Sequence, residues 1–358
     1  MAPANIELFG KTIGVGRSPF VIAEIGVNHN GDVDLACRMI AEAARQGADC
    51  VKFQTFRAET LATKAAPKAA YQMAITEKTE SQFEMLKNLE LSPEAHMRII
   101  RECQAQSIGF MSTPYSIEDV DFLDKLDVAA YKIASGQIAE PSFIEHVASK
   151  KKPVILSTGM ADLAEVETAV KTVSSTGNRQ LVLLQCTTEY PSDYRDANLR
   201  AMLAMADTFS VLVGYSDHTT NPAAAIAAAA LGAVVIEKHF TLDKTMPGPD
   251  HAASAEPAEL GTLIRMVRQA YECLGSPWKQ PSEVELRNRV TMRRSVVTRS
   301  PIAAGETVTR EMLTLKRPGT GLAPSWVEKL IGQRAAHDIR PETLLTLGDI
   351  SWSKDVQG

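Results

Sequence analysis

The sequence predicts an α/β fold, a (β/α)₈ barrel followed by a small β-rich domain. Three observations carry the prediction. Eight short apolar runs recur along the first two-thirds of the chain. Stretches with helical spacing separate them. Near Arg293 the texture changes to short apolar pieces punctuated by turns.

The runs are Phe20–Ile25, Cys50–Phe53, Gly109–Met111, Ala130–Ile133, Val154–Leu156, Leu181–Leu184, Val211–Tyr215 and Ala233–Ile236. Each is short and rich enough in β-branched or aromatic residues to be a buried strand. Helical periodicity marks Asp34–Gln46, Pro93–Gln106, Leu163–Val173 and Pro222–Leu231 between them. Ser92 and Asn221 stand at N-cap positions, each followed by a proline at the first helical position. Strand–helix alternation implies a parallel sheet, and eight repeats imply closure into a barrel.

The residues at the exit of each strand are more informative. In chain order the exits carry Glu24; Lys52 and Gln54; Ser112 and Thr113; Lys132, Ser135 and Gln137; Ser157 and Thr158; Thr187, Thr188 and Tyr190; Ser216, Asp217 and His218; and Glu237, Lys238 and His239. Strand C-termini in such a barrel converge on one mouth. Polar groups at every exit therefore point to an active site. His218 and His239 leave the seventh and eighth strands, neighbours in a closed barrel, which places two imidazoles together as candidate ligands of a divalent metal. The long segment Thr55–Leu91, with TKAAPKAAYQ and TEKTESQFE, reads as a lid over that mouth.

The barrel, residues 1–280, ends with a helix near Leu260–Leu274. The polar, proline-containing stretch GSPWKQPSE reads as linker, which sets the linker at 281–292 and the second domain at residues 293–358. Within that domain Ile302–Thr309 (IAAGETVT) echoes Ile339–Thr346 (IRPETLLT), which suggests two related halves.

Composition bounds the function. A formal charge of −5 leaves no footprint for nucleic acid or an anionic membrane. The five cysteines, Cys37, Cys50, Cys103, Cys186 and Cys273, include no CxxC pair, and they read as reduced thiols of a cytoplasmic protein. The N-terminus lacks the basic start and apolar run of a signal peptide, and the longest apolar stretch, Ala223–Ile236, is too short to span a bilayer.

The motifs IAEIGVNHNGD, VKFQTF, STP, YKIASG, ILSTGM, CTTEYP, GYSDHT, EKHFTLDKTMPGPD and KRPGTG occur in that order. Together they resemble the sialic acid synthase family, which includes N-acetylneuraminate, legionaminate and pseudaminate synthases. The resemblance runs from about residue 20 to the C-terminus, and the tail looks like the family's antifreeze-like (SAF) domain. It implies condensation of phosphoenolpyruvate with an open-chain N-acylmannosamine-type sugar and release of phosphate. It implies manganese, with magnesium or cobalt as substitutes, and a homodimer whose C-terminal domain covers the partner's barrel.

Carried onto this sequence, the resemblance gives His218 and His239 to the metal. It assigns phosphoenolpyruvate to Lys52 and Lys132, supported by Thr113, Ser135, Ser157 and Ser216. Gln54, Tyr190 and Asp250 are placed to bind the sugar, as is Arg317 from the other subunit. Glu24 is expected to position the metal-bound water or the carbonyl, or else to be a buried partner for a lysine. One departure stands out. Many relatives read GSGE or ASGE after the fourth strand, whereas this chain has Ala134-Ser135-Gly136-Gln137. Glutamine cannot exchange a proton as a carboxylate does. Gln137 is left to orient water, and the proton work falls to Glu24 and the metal, or to Glu140.

The motifs NHNGD and MPGPD, with the alanine-rich loop, look closer to legionaminate and N-acetylneuraminate synthases than to pseudaminate ones. The acceptor is thus N-acetylmannosamine or 2,4-diacetamido-2,4,6-trideoxymannose. Two rival functions remain open on the sequence: a lysine-imine pyruvate aldolase using Lys132, and a non-catalytic carbohydrate-binding protein working through its tail.

Overall fold

The structure is a computed structural model that describes residues 5–67 and 81–352. The chain divides into two compact units, residues 1–275 and 276–358.

The first unit opens with an antiparallel hairpin, β1 (Ile6–Leu8) and β2 (Lys11–Ile13). Eight parallel strands come next: β3 (Phe20–Gly26), β4 (Cys50–Thr55), β5 (Gly109–Pro114), β6 (Tyr131–Ile133), β7 (Val154–Ser157), β8 (Leu181–Cys186), β9 (Leu212–Asp217) and β10 (Val235–His239). Their order is β5-β4-β3-β10-β9-β8-β7-β6, so the first and last barrel strands pair and the sheet wraps round on itself. The barrel is nearly closed, with a paired register at every seam except that between β5 and β6. The polar exits expected beyond several strands lie within them, because the runs are longer than their apolar parts.

Side-chain alternation explains how one sheet makes both a core and a site. Successive residues of a strand face opposite sides. Val21, Ala23, Ile25, Val51, Phe53, Leu156, Leu183, Val213 and Ile236 belong to the core shared with the surrounding helices. The alternate positions Ile22, Cys50, Met111, Ala130, Ile155, Val182, Leu212 and Val235 fill the lower barrel. Two residues further along the same inward rows stand Glu24, Lys52, Thr113, Lys132, Ser157, Glu237 and the other groups of the mouth. Ile6, Leu8 and Ile13 of the hairpin are buried in the lower cluster and stop the bottom of the barrel. The sequence reading did not foresee this hairpin.

Local signals account for the helices. Asp32 caps Val33–Gln46 by accepting from the amides of Asp34 and Leu35, and Gly47 ends it in the left-handed region. Ser92 caps Pro93–Ala105 as expected. The helix expected from Pro222 begins one residue later, at Ala223. The Asn221 side chain still accepts from the Ala223 amide. Among the described residues, the excursion after β4 contributes the helices Ala58–Leu61 and Gln82–Leu89, the second closed by a Ser81–Glu84 capping box. Parts of TKAAPKAAYQ and TEKTESQFE fall at 68–80, outside the described residues.

The second unit begins at Ser276, within the span expected to end the barrel at 280, and the expected linker 281–292 contains a solvent-exposed helix, Glu283–Met292. Beyond it β11 (Ser295–Thr298) pairs with β12 (Leu313–Lys316), and β13 (Arg334–Ala335) with β14 (Ile350–Ser351). The two echoing segments meet. Ile302 and Ile339 exchange backbone hydrogen bonds of 2.9 and 2.8 Å, so the sequence echo is a pseudo-symmetric pairing around a shared core.

Candidate active site

The inward rows open into a cavity of about 420 Å³ at the barrel mouth. It brings together Glu24, Lys52, Gln54, Thr113, Lys132, Ser135, Ser157, Tyr190, Ser216, His218, His239 and Asp250, all expected from the sequence.

At its base lies a buried charge cluster. The Lys52 ammonium sits 2.8 Å from a Glu24 carboxylate oxygen and donates to Thr113 Oγ1 at 3.0 Å. Lys132 donates to Ser157 Oγ at 2.6 Å. Glu237 bridges the two lysines, 3.9 Å from each, and accepts from Ser216 Oγ at 3.0 Å. Two ammoniums and two carboxylates make the cluster formally neutral, which reduces the cost of burying it. Burial pushes the Glu24 carboxyl up to about 7 against the pull of Lys52. Burial lowers the Lys132 ammonium, although Glu237 opposes the shift.

Glu237 is a central residue to which the sequence reading assigned no role. The signal was available: in β10, Glu237 and His239 share a face by alternation, while Lys238 must point away. Lys238 indeed pairs with Asp217 on the outer side, at 3.2 Å.

Above the cluster stand the two histidines, their ring centres 5.5 Å apart. The His218 Nδ1–H donates to the Thr187 carbonyl at 2.6 Å, which fixes the tautomer and leaves Nε2 unprotonated, 3.4 Å from the Ser216 hydroxyl that donates to Glu237. Burial depresses the His218 imidazole to about 4 and holds His239 well below its ordinary value, so both rings are neutral at pH 7. His239 Nδ1 is buried without a hydrogen-bond partner, 3.9 Å from a carboxylate oxygen of Asp250. Tyr190 packs against both rings, with centres at 4.2 and 5.4 Å. Two neutral imidazoles with available lone pairs suit a borderline divalent ion. The orphaned nitrogen of His239 is the observation that favours one. Among the described residues no group of three or more His, Cys, Asp or Glu is arranged to hold a metal, so solvent or substrate oxygens would complete the coordination.

Three expected residues stand apart. Gln137 is buried but lies off the cavity lining, its amide donating to the Tyr115 carbonyl at 3.3 Å. Glu140 is exposed just before the helix Pro141–Ser149 and also lies off the lining. Arg317 belongs to the second unit, where it is exposed and donates from Nε to the Met292 carbonyl at 3.0 Å. The excursion contributes an apolar wall to the mouth, from Leu61, Met85, Leu86 and Leu89 beside Val27.

Comparison with known proteins gives this geometry a lineage. The NeuB family model matches residues 39–279, and the SAF domain model matches residues 293–351. An N,N'-diacetyllegionaminic acid synthase of Legionella pneumophila is 46% identical over 94% of this chain and 95% of its own. One from Campylobacter jejuni is 43% identical over 92% and 99%. Among solved structures, the N-acetylneuraminic acid synthetase of Leptospira borgpetersenii, in complex with citrate, superposes with a TM-score of 0.71. It is 33% identical and covers 80% of this chain and 95% of its own. The barrel with its ring of inward polar residues, the tail that follows it and these likenesses agree: the chain belongs to the NeuB family.

Proposed function

We propose that the chain is a nonulosonic acid synthase, joining phosphoenolpyruvate to an N-acylated mannosamine-type sugar with release of phosphate. The supporting observation is the juxtaposition of a buried lysine pair with two neutral, lone-pair-bearing imidazoles in one cavity. Lys52 and Lys132, helped by Thr113, Ser135, Ser157 and Ser216, bind the phosphate and carboxylate of phosphoenolpyruvate as compact point charges. His218 and His239 hold a divalent ion, manganese by our reading, with magnesium or cobalt as substitutes. When bound, that ion supplies Lewis-acid polarisation of a carbonyl oxygen.

In the reaction a carbon–carbon bond forms between C3 of phosphoenolpyruvate and the aldehyde carbon of the open-chain sugar. Water adds at C2, and inorganic phosphate leaves. Glu24 exchanges a proton near neutral pH, since its carboxyl is pushed up to about 7. It does so in place of the carboxylate that Gln137 replaces. Glu237 keeps the lysines charged and poised. Gln54, Tyr190 and Asp250 contact the sugar, and Arg317 reaches it from a partner subunit in a homodimer. The likeness to diacetyllegionaminic acid synthases favours 2,4-diacetamido-2,4,6-trideoxymannose over N-acetylmannosamine as the acceptor. The absence of any helix long and apolar enough to cross a membrane, among the described residues, is compatible with a cytoplasmic enzyme.

An acceptor panel tests this reading. Mass spectrometry should show a product in which a pyruvyl unit has been added to one mannosamine-type sugar. Turnover of no such sugar would reject it. A stable adduct at Lys132 after borohydride treatment with pyruvate would establish the imine-forming alternative instead.

A further inference from the structure

The NHNGD turn after β3 has no part in the chemistry above, yet it is built against the loop that carries Asp250. That loop leaves β10 and returns where Ala255 bridges Phe240, so its base is closed by backbone hydrogen bonds. Two asparagines of the turn fasten it. Asn28, fully buried, donates from Nδ2 to the Phe240 carbonyl at 2.9 Å and to Ser254 Oγ at 2.8 Å. Ser254 in turn donates to the main-chain carbonyl of Asp250 at 2.6 Å.

Asn30 makes the second tie. Its Nδ2 donates to the Pro247 carbonyl at 2.9 Å, which orients the amide and leaves Oδ1 as an acceptor. The consistent arrangement of His251 follows from that orientation. Its Nε2–H donates to Asn30 Oδ1 at 3.3 Å, and its Nδ1 lies 2.6 Å from the Thr241 hydroxyl, which is also 3.2 Å from the Asp243 carbonyl. Burial depresses His251 to about 4, in keeping with a neutral ring.

The backbone is shaped for this clasp. Asn30 has a φ of 52° and Gly31 one of 74°, in the left-handed region that asparagine tolerates and glycine favours. A Cβ on Gly31 would meet the Asn88 carbonyl oxygen at 2.7 Å. One on Gly248 would meet His251 Cδ2 at 2.7 Å and Asn30 Oδ1 at 2.8 Å. Asp250 therefore sits between two ties, and neither of the clasp residues Asn30 and His251 lines the cavity.

We propose that Asn30 and His251 are positioning residues which set Asp250 against the acceptor sugar. The inference rests on the reading of Asp250 as a sugar contact. The clasp acts on acceptor binding and leaves phosphoenolpyruvate untouched, because the lysine cluster is held by other elements; Asp250 lies 3.9 Å from His239 Nδ1, so Mn²⁺ affinity reports on the same loop.

A double-mutant cycle on the full-length protein tests it, with KM for acceptor and phosphoenolpyruvate, Mn²⁺ affinity by calorimetry and Tm measured for each variant. His251→Ala is expected to raise the acceptor KM about ten-fold or more, the effect of losing an oriented contact. The phosphoenolpyruvate KM should hold. In an Asp250→Ala background the same change should add less than about two-fold, since the residue through which it acts is gone. Asn30→Asp, which removes the tie to Pro247 at a less buried position, should shift the acceptor KM in the same direction. Full additivity of His251→Ala and Asp250→Ala would overturn the clasp, as would a parallel loss of phosphoenolpyruvate binding. If Asp250→Ala itself leaves the acceptor KM unchanged, the assignment of Asp250 fails instead, and the two failures are told apart. Should His251→Ala not fold, Asn30→Asp carries the cycle with the same two outcomes.

Discussion

Replacing Lys132 with methionine probes the charge cluster most directly. The side chain of Lys132 is almost fully buried, donates to Ser157 at 2.6 Å and lies 3.9 Å from Glu237. Methionine keeps the length and apolar stem but removes the charge, so a formally neutral cluster becomes one negative charge. Phosphoenolpyruvate then loses a charge-assisted hydrogen bond, worth about 1.5–3 kcal/mol. It also meets an uncompensated carboxylate. Unit charges at about 4 Å interact by roughly 4 kcal/mol at an effective dielectric near 20. Much of that is offset, because Lys52 is equally close to Glu237 and Glu237 can take up a proton. A net loss of about 3–4 kcal/mol, or two to three orders of magnitude in Kd, is expected. Calorimetric titration of phosphoenolpyruvate into the acceptor-free protein measures it. The double variant Lys132→Met/Glu237→Gln restores neutrality and should recover at least about ten-fold of the affinity, because the Coulombic part is removed. A Kd for Lys132→Met within about three-fold of the parent, in a folded protein, would refute the assignment of this lysine to the anion.

Other perturbations draw on the same geometry. His218→Ala or His239→Ala should abolish turnover and weaken Mn²⁺ binding by about ten-fold or more, with Tm little changed; intact metal affinity in both would remove the pair as ligands. Burial raises the Asp250 carboxyl from 3.8 to about 6, so the folded metal-free protein binds a proton more tightly there than the unfolded chain does. Its contribution to stability should therefore fall as pH rises from about 4 to 6, by up to roughly 3 kcal/mol, and then level. Asp250→Asn should remove that slope, and parallel pH profiles for the two proteins would contradict the shift. Arg317→Ala should raise the acceptor KM, and mixing it with a His218→Ala protein should restore some activity through hybrid dimers; no rescue in a verified hybrid would dismiss the exchange of domains between subunits.

Much of the barrel was legible because its signals are local. Apolar runs, a Ser-Pro cap at Ser92 and polar exits each occupy a few adjacent residues. The site residues at those exits were legible for the same reason, since strand ends converge whatever the loops do. The features that were missed depend on distant partners. The hairpin Ile6–Ile13 has no core of its own, and only the lower barrel buries it. Glu237 looked like one more charged exit residue until alternation set it between Lys52 and Lys132 on other strands. Asn28 and Asn30 read as turn residues, because the loop they fasten lies more than 200 positions away. The departure at Gln137 was plain in the sequence. That its amide turns to the Tyr115 carbonyl, off the cavity lining, required the fold.

The central claim is that one cavity unites phosphoenolpyruvate, a metal and an amino sugar. Its most direct test is phosphate release by metal-stripped protein, with phosphoenolpyruvate, Mn²⁺ and a 2,4-diacetamido-2,4,6-trideoxymannose or N-acetylmannosamine acceptor omitted in turn. Release only when all three are present is the predicted result. Release without an acceptor, or at an undiminished rate without metal, would contradict it.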